Sequence, residues 1–150
     1  MQNDQAVSVL NNLVETCKDG EQGFKEAAEG VKNPALKAKF LQYSRERGQM
    51  SSELQAEVRR LGGDPEKSGS MSASLHRGWL GIKSAVTGQD DHAILAEAER
   101  GEDVAKSAYE HALKETLPAS AQTLVQQQAA KVRQAHDDVR DLRDGKATTH

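Results

Sequence analysis

Apolar residues recur at alternating spacings of three and four along four stretches of the chain. In an α-helix, this spacing places the side chains along one face, which then packs against other helices. The pattern therefore predicts four amphipathic helices, over about residues 4–30, 34–61, 90–116 and 118–143. The first stretch shows the pattern without a break, in Leu10, Leu13, Cys17, Gly20, Phe24, Ala27 and Val31.

The connections between these helices predict two antiparallel hairpins in an all-α, four-helix bundle. Asn33 and Pro34 are a helix cap followed by proline at the first helical position, and Pro118 starts the fourth helix in a similar way. Such short turns make consecutive helices antiparallel neighbours. We expect one domain over residues 1–144 and a flexible tail over 145–150.

Residues 62–89 are far longer than the roughly two to eight residues that usually join adjacent helices, so they are expected to cross over the length of the bundle. Within this crossover, Leu75, Trp79, Ile82 and Val86 recur at helical spacing and predict a short amphipathic helix. Its apolar edge either covers the side of the bundle or uses Leu75, Trp79 and Ile82 to hold a partner helix.

The composition excludes several classes of protein. Aromatic residues make up only 3% of the chain, which is typical of helices packed through small side chains and argues against an all-β fold. A net charge of -3 provides no excess of positive charge for nucleic acid. The single cysteine, Cys17, rules out an internal disulfide, and neither a secretory signal nor a membrane span is visible. We therefore expect a cytoplasmic protein without membrane or nucleic-acid partners.

Glu102 occupies a position in the apolar stripe of the third helix, between Ala98 and Ala105, and a buried charge there needs a partner. If the crossover makes the second and third helices parallel, carboxylates and one imidazole fall at the same height. Oxygen ligands with one imidazole suit iron or manganese. The candidate metal ligands are Glu21, Glu46, Glu99, Glu102 and His136.

The alternative partner for Glu102 is a basic side chain of the bundle itself. Arg47 stands in the apolar stripe of the second helix, and Lys131 lies at a similar height on the fourth. A paired and hydrogen-bonded guanidinium neutralises a buried carboxylate without any ion. At the neighbouring level, Gln128 is expected to form a core hydrogen bond with Tyr109.

Five short segments of the chain form a distinctive set: residues 13–20 (LVETCKDG), 60–65 (RLGGDP), 75–79 (LHRGW), 98–103 (AERGED) and 135–137 (AHD). With these segments the chain resembles a bacterial family of ferritin-like domains of unknown function. The resemblance implies a ferritin-like bundle and a bacterial origin. Di-iron ferritin-like proteins carry Glu-x-x-His pairs, whereas this chain has Gln49 three residues after Glu46 and Arg133 three residues before His136.

The sequence thus favours an uncharacterised, non-catalytic bundle that acts through its surface in housekeeping or stress physiology, as a homodimer or with a helical partner. One alternative is a di-metal protein that handles iron, manganese or oxygen. A second is a helical adaptor that binds its partner through the Trp79 segment.

Overall fold

The computed structural model describes residues 2–65, 79–88 and 90–145. Within these ranges the chain forms five helices and no strand, which confirms the all-α prediction. No helix there is long and apolar enough to cross a bilayer. The helices are α1 (Gln2–Gly30), α2 (Pro34–Arg60), α3 (Ile82–Thr87), α4 (Asp91–Leu113) and α5 (Ala119–Arg143).

The four long helices form two hairpins, since α1 packs along α2 and α4 packs along α5. The side-chain oxygen of Asn33 accepts hydrogen bonds from the backbone N–H groups of Ala35 and Leu36, at 2.9 and 3.2 Å, and so caps α2. Pro34 follows at the first helical position. The start of α2 therefore lies where the Asn33-Pro34 pair predicts it, and the helices of each hairpin run antiparallel.

The turn between α1 and α2 lies at the same end of the molecule as the start of α4. The backbone N–H groups of Lys32 and Asn33 donate hydrogen bonds to the Asp91 carboxylate, at 2.8 and 3.1 Å. At the opposite end, Gln5 of α1 donates to Glu115, just beyond α4, at 2.9 Å. Helices α2 and α4 therefore run in the same direction, as a long crossover requires.

Two apolar clusters form the core, one in each half of the molecule. The half near the α1–α2 turn contains Phe24, Ala27, Ala28, Val31, Leu36, Phe40, Tyr43, Ile82, Ile94, Leu95, Ala98, Ala135 and Val139. The other half contains Leu10, Leu13, Val14, Cys17, Met50, Leu54, Val58, Ala105, Tyr109, Ala112, Ala121, Val125 and Val132. Arg47 and Glu102 lie at the level between the two clusters, where α2 and α4 pass from one half to the other.

The described part of the crossover packs against α1 and α4. The indole of Trp79 fills a notch between Gly23 of α1 and Gly101 of α4, where an added Cβ would come within 2.3 and 2.2 Å of the ring. The ring also meets Phe24 edge-on, with the centroids 5.1 Å apart. Trp79 is half-buried and Ile82 is buried, so both side chains pack against the chain itself. Use of this segment to hold a partner helix stays a prediction. Leu75 lies outside the described residues.

Candidate functional site

The buried partner of Glu102 is Arg47. The two guanidinium nitrogens Nη1 and Nη2 donate to Oε1 and Oε2 of Glu102, at 2.7 and 2.5 Å. Both residues are almost fully buried, with 2% of Arg47 and none of Glu102 exposed. This two-point geometry satisfies both carboxylate oxygens and adds direction to the charge attraction.

The surroundings of Arg47 are shaped for a guanidinium. Gly20 of α1 leaves the space, because a Cβ there would lie 3.0 Å from Arg47 Nη1. The guanidinium lies over the face of the Phe24 ring, with Arg47 Cζ 5.4 Å from the ring centroid, and the ring face attracts the cation. Burial by itself lowers the pKa of Arg47, but the Glu102 carboxylate more than reverses this, and the net pKa is raised. Arg47 is therefore a permanent cation in the core.

A chain of hydrogen bonds lies next to the ion pair, in the half of the core away from the α1–α2 turn. The Tyr109 hydroxyl donates to Gln128 Oε1 at 2.7 Å, which is the predicted core hydrogen bond. Gln128 Nε2 donates in turn to the backbone oxygen of Met50 and to Glu53, both at 3.1 Å. Its amide thereby links α4 to α2 across the core.

Cys17 lies beside this chain, with its sulfur 3.1 Å from the Tyr109 hydroxyl. Burial raises the pKa of the thiol to about 11, against a smaller lowering by the hydrogen bond with Tyr109. Burial likewise raises the pKa of Tyr109 well above its ordinary range. Cys17 is consequently a protonated, enclosed thiol near neutral pH, which is the state expected of a small core residue and not of a nucleophile.

The structure does not bring the five predicted metal ligands together around one point. Glu21 is exposed and lies against Gly48 of α2, where a Cβ would be 2.5 Å from its Oε2. Glu46 is half-buried and accepts a hydrogen bond from Gln42 at 3.1 Å. Lys131 is exposed as well, so it does not share in neutralising Glu102. The expectation that these side chains converge on Glu102 is wrong, because residue counts set the height of a side chain along its helix but not its direction around the helix axis.

The remaining predicted ligands, Glu99 and His136, come together with Asp103 in a second cluster. One ligand atom from each of these three side chains lies within 4.8 Å of the others. Glu99 and Asp103 are four residues apart, on one face of α4, and His136 reaches them from α5. Its Nε2 lies 2.6 Å from Asp103 Oδ1, while Nδ1 lies 3.0 Å from Asp137 Oδ1.

The outer cluster, by which we mean Glu99, Asp103 and His136, also contacts a basic residue. Arg143, at the end of α5, forms an ion pair with Glu99 Oε1. That buried oxygen accepts no hydrogen bond of ordinary geometry from the described residues. Sequence reasoning missed Asp103, which belongs to the cluster, and Asp137, which contacts it through His136 Nδ1. The available signals were the i,i+4 spacing of Asp103 from Glu99 and the adjacency of Asp137 to His136.

A third polar contact joins α2 to α5 and was not predicted. Asp138 is 1% exposed and accepts a short hydrogen bond from the Tyr43 hydroxyl, while Lys39 Nζ lies 2.8 Å from it. Burial raises the pKa of Tyr43, and the hydrogen bond to Asp138 raises it further. This group has its own internal cation and is best explained as a link between the two hairpins.

A groove of about 340 Å³ lies between α1 and α4, in the half of the molecule away from α3. Its floor is apolar and includes Leu13, Val104 and Ala108, and its rim carries His111 and Glu115. The groove ends at Asp103, which also belongs to the outer cluster.

Comparison with known proteins places the chain in a family without assigning an activity. No curated protein sequence matches it. A family model described as "Domain of unknown function (DUF2383)" matches residues 5–115. The match includes Arg47, Glu102, Trp79 and the α4 carboxylates of the outer cluster, and it ends before α5. The chain therefore belongs to the DUF2383 family.

Proposed function

We propose that this protein is a ferritin-like four-helix bundle in which the Arg47–Glu102 ion pair replaces a core metal centre. In this proposal the core is non-catalytic, and the protein acts through its outer surface. The parallel course of α2 and α4 and the long crossover support the ferritin-like connectivity.

The ion pair is the single observation that carries the proposal. A guanidinium has five donor N–H groups and no lone pair, so it cannot ligate a metal. It also brings a fixed positive charge to the place where a metal cation would have to bind. Both oxygens of Glu102 already accept hydrogen bonds from Arg47, so the guanidinium neutralises the negative charge that would attract an ion.

The positions of the five predicted metal ligands support the same conclusion. Of the five side chains that the sequence suggested, only Glu102 lies between the two apolar clusters. Glu21 and Glu46 are at the surface of the α1–α2 hairpin, and Glu99 and His136 belong to the outer cluster. A di-metal carboxylate centre draws a Glu from each of two helices and a Glu-x-x-His pair from each of the others. Of the predicted ligands, only Glu102 brings its carboxylate to the level between the two apolar clusters, and Arg47 neutralises it.

The experiment is to measure the iron and manganese content of the wild-type protein and of a Glu102→Gln variant, both purified without added metal. The proposal predicts equal content in the two proteins, because Glu102 serves Arg47 alone. Glu53→Gln, which alters another carboxylate near the core, is the matched control. Stoichiometric metal in the wild type that is lost in Glu102→Gln and kept in Glu53→Gln would contradict the proposal.

Surface action implies a partner, and we retain a second copy of the chain in the bacterial cytoplasm as the first candidate. Leu80, whose exposed fraction is 75%, is a large apolar side chain that such a contact could cover. The mass from sedimentation, measured for the wild type and for Leu80→Gln, tests this. A dimer that dissociates in the variant supports it, and a wild-type monomer at all concentrations argues against it.

A further inference from the structure

We propose that Glu99, Asp103 and His136 form a binding site for one divalent transition-metal ion on the outer α4–α5 face. This site is separate from the core ion pair and goes beyond the proposed function. It uses two of the residues that the sequence suggested as ligands, together with an aspartate that it did not.

The positions of the three side chains favour a shared ligand. Their candidate ligand atoms already lie within 4.8 Å of one another. Metal–oxygen and metal–nitrogen bonds of about 2.0–2.2 Å place neighbouring ligand atoms about 3–3.5 Å apart. The more distant atoms would therefore move closer together, while His136 Nε2 and Asp103 Oδ1, which are 2.6 Å apart, would separate slightly. Because the Asp103 side chain is 61% exposed, it can make this adjustment without disturbing the core. Glu99 and His136 are held more firmly, since both are buried.

The imidazole of His136 is oriented as metal-bound histidines usually are. Asp137 Oδ1 lies 3.0 Å from Nδ1 and can accept the proton of that nitrogen. In the metal-free protein the 2.6 Å contact between Nε2 and Asp103 Oδ1 holds a proton between the two atoms, and a bound ion would take the place of that proton. A carboxylate behind the far nitrogen fixes the tautomer and raises the basicity of the ligand.

Glu99 provides the second, independent indication. Among the described residues, none donates a hydrogen bond of ordinary geometry to its buried Oε1, and the cation that forms an ion pair with this oxygen is the guanidinium of Arg143. The Arg143 side chain is 36% exposed and also donates to Asp144 at 3.0 Å, so it keeps a partner when it leaves Glu99. A metal ion would thus exchange with Arg143 at this oxygen. Arg47 offers no such exchange in the core, because it is enclosed.

The donor set indicates the class of ion. Two carboxylates and one imidazole suit manganese, iron and zinc, and water molecules would complete the coordination at this open face. The affinities of such a site for divalent ions are expected to rise from manganese through iron to zinc.

The test is isothermal titration of the full chain with Zn²⁺ and, separately, with Mn²⁺, combined with ¹⁵N NMR of the His136 ring. We expect one ion per chain, tighter binding of Zn²⁺, and a shift of the Nε2 resonance. Asp137→Asn should weaken binding by about 10- to 100-fold. Loss of a direct ligand in Asp103→Asn or His136→Ala should weaken it at least as much. Arg143→Gln should tighten binding, because it removes the competing cation.

Two matched controls come from exposed residues of α4 outside the cluster, Glu110→Gln and His111→Ala, and both should bind as the wild type does. If His136→Ala fails to fold, the exposed Asp103 still provides the test. Wild-type affinity in Asp103→Asn, equal weakening in the controls, or no stoichiometric binding would overturn the proposal. Glu102→Gln should bind Zn²⁺ normally, so the outer site and the core proposal can fail separately.

Discussion

Two charged groups on α4 lie within one helical turn of each other and differ in how their carboxylates are neutralised. Glu102 faces the core and is fully buried against Arg47, which is itself 2% exposed. Glu99 and Asp103 face outward toward α5, and their basic neighbour Arg143 is 36% exposed. The enclosed carboxylate therefore has a fixed cation, whereas the outer pair has one that solvent or an ion can replace. Burial determines which of the two is structural and which is available for binding.

The largest expected effect comes from removing each arginine in turn. Arg47→Met leaves Glu102 as an unpaired buried charge, which should cost about 3–5 kcal/mol of unfolding free energy. The matched change at the outer pair, Arg143→Met, should cost much less, because the Arg143 side chain is 36% exposed and its ion pair is screened by solvent. Denaturant unfolding of both variants measures the contrast. Similar losses in the two variants would mean that burial does not separate the two groups.

Gly101 lies between the two groups on α4, and substituting it tests how Trp79 holds this region together. A methyl group in Gly101→Ala would come 2.2 Å from the indole, so Trp79 must leave its notch. We expect a loss of about 1–3 kcal/mol, as for other overpacked cores. The fluorescence of this single tryptophan should also shift to longer wavelength.

The control for this substitution is Gly88→Ala. An added Cβ at Gly88 would make only ordinary contacts, the nearest at 3.6 Å, and the fluorescence should not change. An unshifted spectrum in Gly101→Ala would contradict the packing of Trp79 described above.

In the core, the buried thiol of Cys17 predicts that the free energy of unfolding decreases at alkaline pH. The pKa of Cys17 rises from 9.0 to about 11 on folding, so the folded thiol keeps its proton where the unfolded thiol loses it. This contribution to stability is complete below pH 9.0 and is lost as the pH rises to about 11. The slope for one group is at most about 1.4 kcal/mol per pH unit.

Unfolding free energies measured across that pH window for the wild type and for Cys17→Ala test this expectation. The variant should show a shallower decline, since it has lost one of the groups that titrate there. Parallel declines in the two proteins would show that the thiol is not the cause.

The smallest effect on stability is expected in acid, at Asp137 beside the outer cluster. The pKa of Asp137 is lowered on folding, chiefly by its hydrogen bond with His136, from an ordinary value of 3.8. Its contribution is therefore present above pH 3.8 and is lost as the pH falls through the lower folded value. Carboxyl chemical shifts followed by NMR should place the Asp137 midpoint below 3.8 in the wild type. A midpoint that does not move in His136→Ala would contradict the stated cause.

Much of the architecture could be predicted from the sequence because it depends on local signals. The three-and-four spacing identifies α1, α2, α4 and α5 to within a few residues, and the Asn33-Pro34 pair marks the start of α2. The sequence also offers Arg47 as one of the possible partners of Glu102, beside a metal ion, since each residue interrupts an apolar stripe at a similar height, and the structure contains this pair. These features require only the periodicity of a helix and the cost of burying a charge.

The outer cluster could not be predicted in full, because it depends on how far each helix is rotated about its axis. Residue counts place Glu21 and Glu99 at similar heights, yet Glu21 lies against Gly48 of α2 while Glu99 turns toward α5. The sequence does contain a signal for the Trp79 notch, namely two glycines inside helices, Gly23 and Gly101. Glycine inside a helix is destabilising by about 1 kcal/mol relative to alanine, so its presence there indicates a close contact with another side chain.

The most direct measurement is a double-mutant cycle on the core pair, by denaturant unfolding of Arg47→Met, Glu102→Leu and the two changes combined. If the pair exists to neutralise one buried charge with another, each single change should be strongly destabilising. The combined variant should then regain most of the lost stability, because apolar side chains replace both charges. Losses that simply add in the combined variant would show that Arg47 is not the partner on which Glu102 depends.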